Sequence, residues 1–186
     1  MHWIGLAFLL WNSLIVLAPA PQTHASAGIW LDVPFVRQPE DGCGAASISM
    51  LLQYWNAHGT AMEASRSDTE TIRGKLFSRK AHGIFATDLE RYVRDSGFRT
   101  FSYEGNWDDL RQHLMKGRPL IVGLQPGKKT GGYHYVVVAG MDWQGPAVFV
   151  NDPARGKLIR IERADFEREW QPLRNWMLLA VPQHSD

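Results

Sequence analysis

Hydrophobic and polar positions along the chain fall into two regimes that meet near Pro119. Before it, apolar residues recur at spacings of three and four; after it, they gather in short runs. In "AASISMLLQYW", Ala46, Met50, Leu51 and Tyr54 have helical spacing. They predict a helix with one buried face that begins at Gly42-Cys43-Gly44 and ends before His58-Gly59. "TDLERYVRDSG" opens with Thr87 and Glu90 in capping-box spacing, sets Leu89, Tyr92 and Val93 on one face and stops at Gly97. "NWDDLRQHLMKGRP" follows the same logic, with Trp107, Leu110, Leu114 and Met115 inward. Residues 61–81 are polar and predict short helices and loops.

Beyond Pro119, "LIVGL", "YHYVVVAGMD", "AVFVND", "KLIRIE" and "WMLLAV" are rich in β-branched and aromatic residues and are separated by turn residues. They read as strands, interrupted by one helix, "ADFEREW". "QPGKKTGGY" reads as the hairpin connection ahead of His134. Helices first and an antiparallel sheet later predict an α+β fold, in which the helical part and the sheet cover each other's apolar faces. No repeat or long linker divides residues 28–186, which read as one domain.

The start of the chain differs. An apolar stretch from Trp3 to Leu17, then proline and polar residues, then Ala25-Ser26-Ala27, form the pattern of a secretory signal peptide over residues 1–27. The expected location is extracytoplasmic, periplasmic or secreted, with membrane anchoring if the segment is retained. Composition adds one exclusion. With 45% hydrophobic residues, 21% charged residues and a net charge of +1, the chain can build a core but carries no basic stripe, so nucleic acid is not an expected partner.

Export sharpens the question of Cys43, the only cysteine. It can form no internal disulfide, so it is either a small buried hydrophobe or a thiol kept for reactivity. Its position opens the predicted helix, where unpaired backbone N–H groups and the helix dipole favour a thiolate. Gly42 and Gly44 permit a tight turn and close approach of a substrate backbone.

A nucleophilic thiol needs a base, and the base needs an orienting partner. Of seven histidines, His134 alone opens a strongly apolar strand, and the next strand ends at Asn151-Asp152. Asp152 can accept one ring N–H and hold the other nitrogen toward Cys43. Gln38 can donate a side-chain N–H to an oxyanion, with the backbone N–H of Cys43 as second donor. Each has a plainer reading as an edge histidine, a turn aspartate or a solvated loop glutamine. Trp107, Trp143, Trp170 and Trp176 read as core or rim residues. The histidines show no metal-ligand spacing, so neither metal nor cofactor is expected.

The segments "VPFVRQPEDGCGAASISMLLQYW", "HYVVVAGMD" and "VFVNDPARGK" followed by "FEREW" resemble the bacteriocin-processing, double-glycine peptidase family. These are papain-like cysteine peptidases, best known as N-terminal domains of peptide-exporting transporters, and the resemblance runs from Val33 to about Val181. It implies a papain-like fold, with Cys43 as nucleophile, His134 as general base and acid, Asp152 as orienting residue and Gln38 in the oxyanion hole. It also implies a peptide or protein substrate, cleaved after Gly-Gly where the family's habit is kept.

Two features depart from the family pattern. Gln38 stands five residues before Cys43 rather than six, and Gly42 occupies the place directly before the cysteine where the family commonly has an acid. No G-x-x-x-x-G-K-[ST] motif occurs, so the expectation is a freestanding exported enzyme without a fused transporter. Two other readings stay open: a catalytically silent peptide-binding module, and a cell-wall amidase or acyltransferase using the same thiol.

Overall fold

The structure, a computed structural model, describes residues 27–127 and 133–183. The expected signal peptide therefore lies outside the described residues, apart from Ala27, as does the middle of the connection before His134.

A sheet forms the centre. Its strands are β1 (Gly28–Trp30), β2 (Phe98–Glu104), β3 (Leu120–Leu124), β4 (His134–Asp142), β5 (Ala147–Asp152), β6 (Gly156–Glu162) and β7 (Trp176–Pro182). The order is β2-β7-β3-β4-β5-β6, with β1 paired to the far end of β4. All pairings are antiparallel.

Side chains of β3 and β4 alternate between two buried faces. Ile121, Tyr135, Val137 and Ala139 enter one apolar cluster, and Leu120, Val122, Val136 and Val138 the other. A register shift between Val138 and Gly140 then sends Met141 to the second cluster. Both faces being covered explains why these strands are apolar along their whole length.

The first face carries α1 (Cys43–Ala57), α2 (Thr69–Leu76) and α3 (Ala86–Asp95). Its central helix is buried more completely than periodicity predicts: Ala45, Ala46, Ser47, Ile48, Ser49, Met50, Leu51 and Leu52 are all inaccessible to solvent. The sheet lies on one side of α1 and α2 and α3 on another, and the small residues let these neighbours approach closely. One buried face is therefore corrected to burial nearly all round.

The polar stretch 61–81 holds a short 3-10 turn, Ala64–Ser67, and α2, whose first turn is capped by Asp68 accepting from the Thr71 N–H at 2.8 Å. In α3, Leu89, Tyr92 and Val93 are buried as the spacing predicts. The capping box from Thr87 to Glu90 does not form. Phe85 occupies the cap position, and Glu90 instead accepts from Ser102 of β2 at 2.7 Å and from Thr100 at 3.4 Å. A strand that the hydrophobic pattern left unread thus takes up the glutamate.

The second face is covered by α4 (Trp107–Met115) and α5 (Arg163–Trp170). Helix α4 has its own capping box, with Asn106 and Asp109 bonded reciprocally. Leu110 and Leu114 are buried, but Met115, at the last helical position, is 61% exposed rather than inward. Phe166 and Trp170 fill the space under α5. The sheet is consequently sandwiched, and the helical first half covers mainly one of its faces. Among the described residues no helix is long and apolar enough to cross a membrane.

Candidate active site

The chain reaches Cys43 through a turn that its own residues dictate. The Gly42 N–H donates to the Pro39 carbonyl at 3.0 Å, and Asp41 takes a left-handed conformation with φ of 52°. A Cβ at Gly42 would lie 2.7 Å from the proline ring, so a side chain directly before the cysteine is excluded. That accounts for glycine where the family pattern has an acid. The Gly42 carbonyl then accepts the first helical bond, from Ala46 at 2.9 Å, and the thiol stands at the first turn of α1. Gly44 plays a different part from the one its flanking position suggests. A Cβ there would meet Ile84 at 3.1 Å and the Tyr135 ring at 3.4 Å, so it permits close packing of α1 rather than approach of a substrate.

Cys43, His134, Asp152 and Gln38 line one cleft of about 410 Å³. Strand pairing brings the imidazole and carboxylate together. Val137 pairs with Asn151, so one residue further Asp152 falls opposite Val136, on the same face as His134 two positions along. His134 Nε2 lies 2.8 Å from Asp152 Oδ1, which leaves Nδ1 for the thiol. Asp152 is in turn fixed by the backbone N–H groups of Ala154 at 2.9 Å and Arg155 at 3.2 Å.

The electrostatics favour a charged pair. Burial pulls the His134 ring toward neutrality, but hydrogen bonds and charges from Asp152 and Cys43 outweigh it and raise its pKa to about 9. Burial likewise opposes ionisation of Asp152, and is overcome by His134 and the two N–H donors, so its pKa falls below the usual carboxylate value. An imidazolium held between a thiol and a carboxylate can both stabilise a thiolate and release a proton to a leaving group.

Gln38 reaches this cleft despite the shortened interval to Cys43, because its backbone N–H donates to the Pro153 carbonyl at 3.0 Å, beside Asp152. Its side-chain carbonyl is buried without a hydrogen-bond partner among the described residues. Such a group costs about 1–3 kcal/mol, here at the wall of the thiol cleft.

Two residues that sequence reasoning passed over hold the parts in place. Buried Asn151 donates from Nδ2 to the Val33 carbonyl at 3.0 Å and accepts from the Leu158 N–H at 3.0 Å, tying the segment that leads to Gln38 onto β5. Buried Ser47, one turn after Cys43, donates to the Tyr135 carbonyl at 3.2 Å, next to His134. The signal for both was a polar residue inside an apolar run. His82 also lines the cleft, opposite Asp41. Among the described residues no group of three or more His, Cys, Asp or Glu side chains is placed to hold a metal ion.

Comparison with known proteins agrees with this architecture. A C39-like peptidase from Bacillus anthracis superimposes with a TM-score of 0.66 at 18% identity, over 85% of this chain and 99% of that one. A double-glycine motif protease from an AMS/PCAT transporter, solved with its leader peptide, gives 0.63 at 22% identity, over 83% and 94%. The peptidase domain of Streptococcus ComA, a bifunctional ABC transporter of a quorum-sensing pathway, also gives 0.63 at 22%, over 81% and 99%. At these identities the likeness speaks for the fold. No curated protein sequence matches the chain. The profile of one family matches residues 30–177, which include all four cleft residues from Gln38 to Asp152. The chain thus belongs to the Peptidase_C39 like family and is a papain-like cysteine peptidase.

Proposed function

We propose that this chain is an exported peptidase that hydrolyses a peptide bond through a thioester on Cys43. The observation that carries the reading is the relay itself: a thiol at a helix start, an imidazole raised to about 9 and a buried carboxylate 2.8 Å from it. The Cys43 thiolate attacks the substrate carbonyl, and the oxyanion receives N–H donors from Gln38 and the Cys43 backbone. His134 gives its proton to the departing amine as the C–N bond breaks, leaving a thioester. The neutral imidazole then takes a proton from water as its oxygen attacks the thioester, and cleavage of the C–S bond frees the acid and restores the Cys43 thiolate beside the imidazolium. Asp152 keeps the ring oriented throughout.

Leader-type peptides are the candidate substrates that the family supplies, and the signal-peptide pattern of residues 1–27 supports a reaction outside the cytoplasm. The test is cleavage of a leader-peptide library by the purified chain and by Cys43→Ala, alongside labelling with a thiol-reactive acyl probe. The expected result is cleavage by the wild type alone, with rapid labelling of Cys43 near neutral pH that His134→Ala slows strongly. Labelling no faster than in an unfolded control would refute the activated thiol and leave a silent binding module as the reading.

A further inference from the structure

The two ends of the sheet differ in charge. At the thiol end, Cys43 Sγ lies 4.0 Å from the Tyr133 carbonyl oxygen, and Leu124, the last residue of β3, pairs with His134. Arg118, two residues before β3, therefore lies at the opposite end. So does the end of α1, whose fifteen residues carry it about 20 Å from Cys43. Here a cavity of about 1130 Å³ opens between Trp55 and His58 at the end of α1, Arg99 of β2, Lys116 and Arg118 ahead of β3, and Gln183 after β7.

No Asp or Glu is among the described residues that line this cavity. Arg99, Lys116 and Arg118 have no carboxylate partner among the described residues. The chain has 20 Lys and Arg against 19 Asp and Glu, so the clustering does not follow from composition. Gathering like charges without a counter-charge raises the energy of the fold. The field reaches His113, which burial holds below the ordinary histidine value and which Arg118 and Lys116 push down further. The indole N–H of Trp55, in the cavity wall, is buried with no acceptor among the described residues. What these walls lack is negative charge and acceptor oxygens.

The fold holds the cations in this arrangement. Gly117 turns the chain with φ of 68°, and the N–H groups of Lys116 and Arg118 both donate to the His113 carbonyl at 3.0 Å. Tyr54 Oη donates to the Gly117 carbonyl at 2.8 Å, which pins the turn to α1. On the neighbouring strands Arg99 pairs with Val181, and the Gln183 N–H donates to the Gly97 carbonyl at 3.0 Å.

We propose that this cavity binds the phosphate group of an anionic ligand, either a free phosphorylated molecule or the head group of a phospholipid. Phosphate offers oxygens to two guanidinium forks and an ammonium at once, whereas a single carboxylate balances one cation. The volume far exceeds that of phosphate alone, so an organic body fits beside it, against Trp55, Val181 and Pro182. The head-group source has support of its own. Gly28 pairs with Asp142 at this same end of the sheet, so the segment with the apolar stretch from Trp3 to Leu17 joins the fold here. Because the thiol lies at the other end, the inference holds whether or not Cys43 cleaves peptides.

The test titrates the full chain with pyrophosphate by calorimetry and floats it with phosphatidylcholine vesicles, with and without phosphatidylglycerol. It compares the wild type with Arg99→Gln/Arg118→Gln and with Lys75→Gln/Lys80→Gln, which removes the same charge elsewhere. The cavity variant is expected to bind about ten- to a hundredfold more weakly, and the control to bind as the wild type does. A loss seen with pyrophosphate assigns a free ligand; a loss seen on phosphatidylglycerol vesicles alone assigns a head group. Wild-type binding should also weaken as salt rises, a readout that needs no variant to fold. Equal binding by all three proteins, binding indifferent to salt, or binding of neither probe overturns the inference. Polyglutamate bound more tightly than pyrophosphate overturns its phosphate chemistry.

Discussion

Charge on His134 sets the pH behaviour. Its pKa is raised from 6.5 to about 9, so the imidazolium needed to protonate the leaving amine persists through neutral pH and is lost on the alkaline side. The alkaline limb of kcat/KM is expected near pH 9, and Asp152→Asn should move it toward the ordinary histidine value; a pH–rate profile of both proteins checks this. Stability follows the same signs. The raised histidine contributes fully below 6.5 and loses its contribution as pH climbs through about 9, whereas the lowered Asp152 contributes above 3.8 and loses it on acidification. Denaturation midpoints should therefore show the largest difference between wild type and His134→Ala from about pH 4 to 6.5. At this scale the sequence was most legible where chemistry restricts residue type: one cysteine, one histidine opening an apolar strand, one aspartate closing the next. Ser47 and Asn151 were illegible because a buried serine or asparagine reads like any polar interruption until its carbonyl partner is known.

Elements show what spacing can and cannot say. Strands β3 to β7 lie where their apolar runs predict and α1 spans its predicted range though buried nearly all round, but pairing decided the rest. Glu90 left its helix cap because β2 offered two hydroxyls, and β2 itself has meaning only as the partner of β7. Asn151 makes the strongest element-level prediction. Asn151→Ala removes the donor to Val33 and orphans the Leu158 N–H, and should lower stability by about 1–3 kcal/mol in urea unfolding. Because the segment it ties down leads to Gln38, kcat/KM should fall in the folded mutant as well, with Cys43 labelling much less affected.

Across the whole molecule, the sheet separates two apolar clusters, and only the first includes Cys43. Phe166→Ala empties space in the second, under α5, and should cost about 3–5 kcal/mol in chemical denaturation while the labelling rate of Cys43 per folded molecule stays near wild type. The α+β class was legible from the change of period near Pro119. Two-sided coverage was not, because α4 and α5 look alike in pattern to helices of the first face. The pairing of Cys43 with Tyr133, 90 residues away, carries one more consequence. A chain that has made only its early helices owns a thiol but no base, since His134 comes into position when β4 docks between β3 and β5. The nucleophile is therefore silent in a nascent chain and switches on when β4 joins the sheet, so that the onset of Cys43 labelling during refolding times the docking of β4.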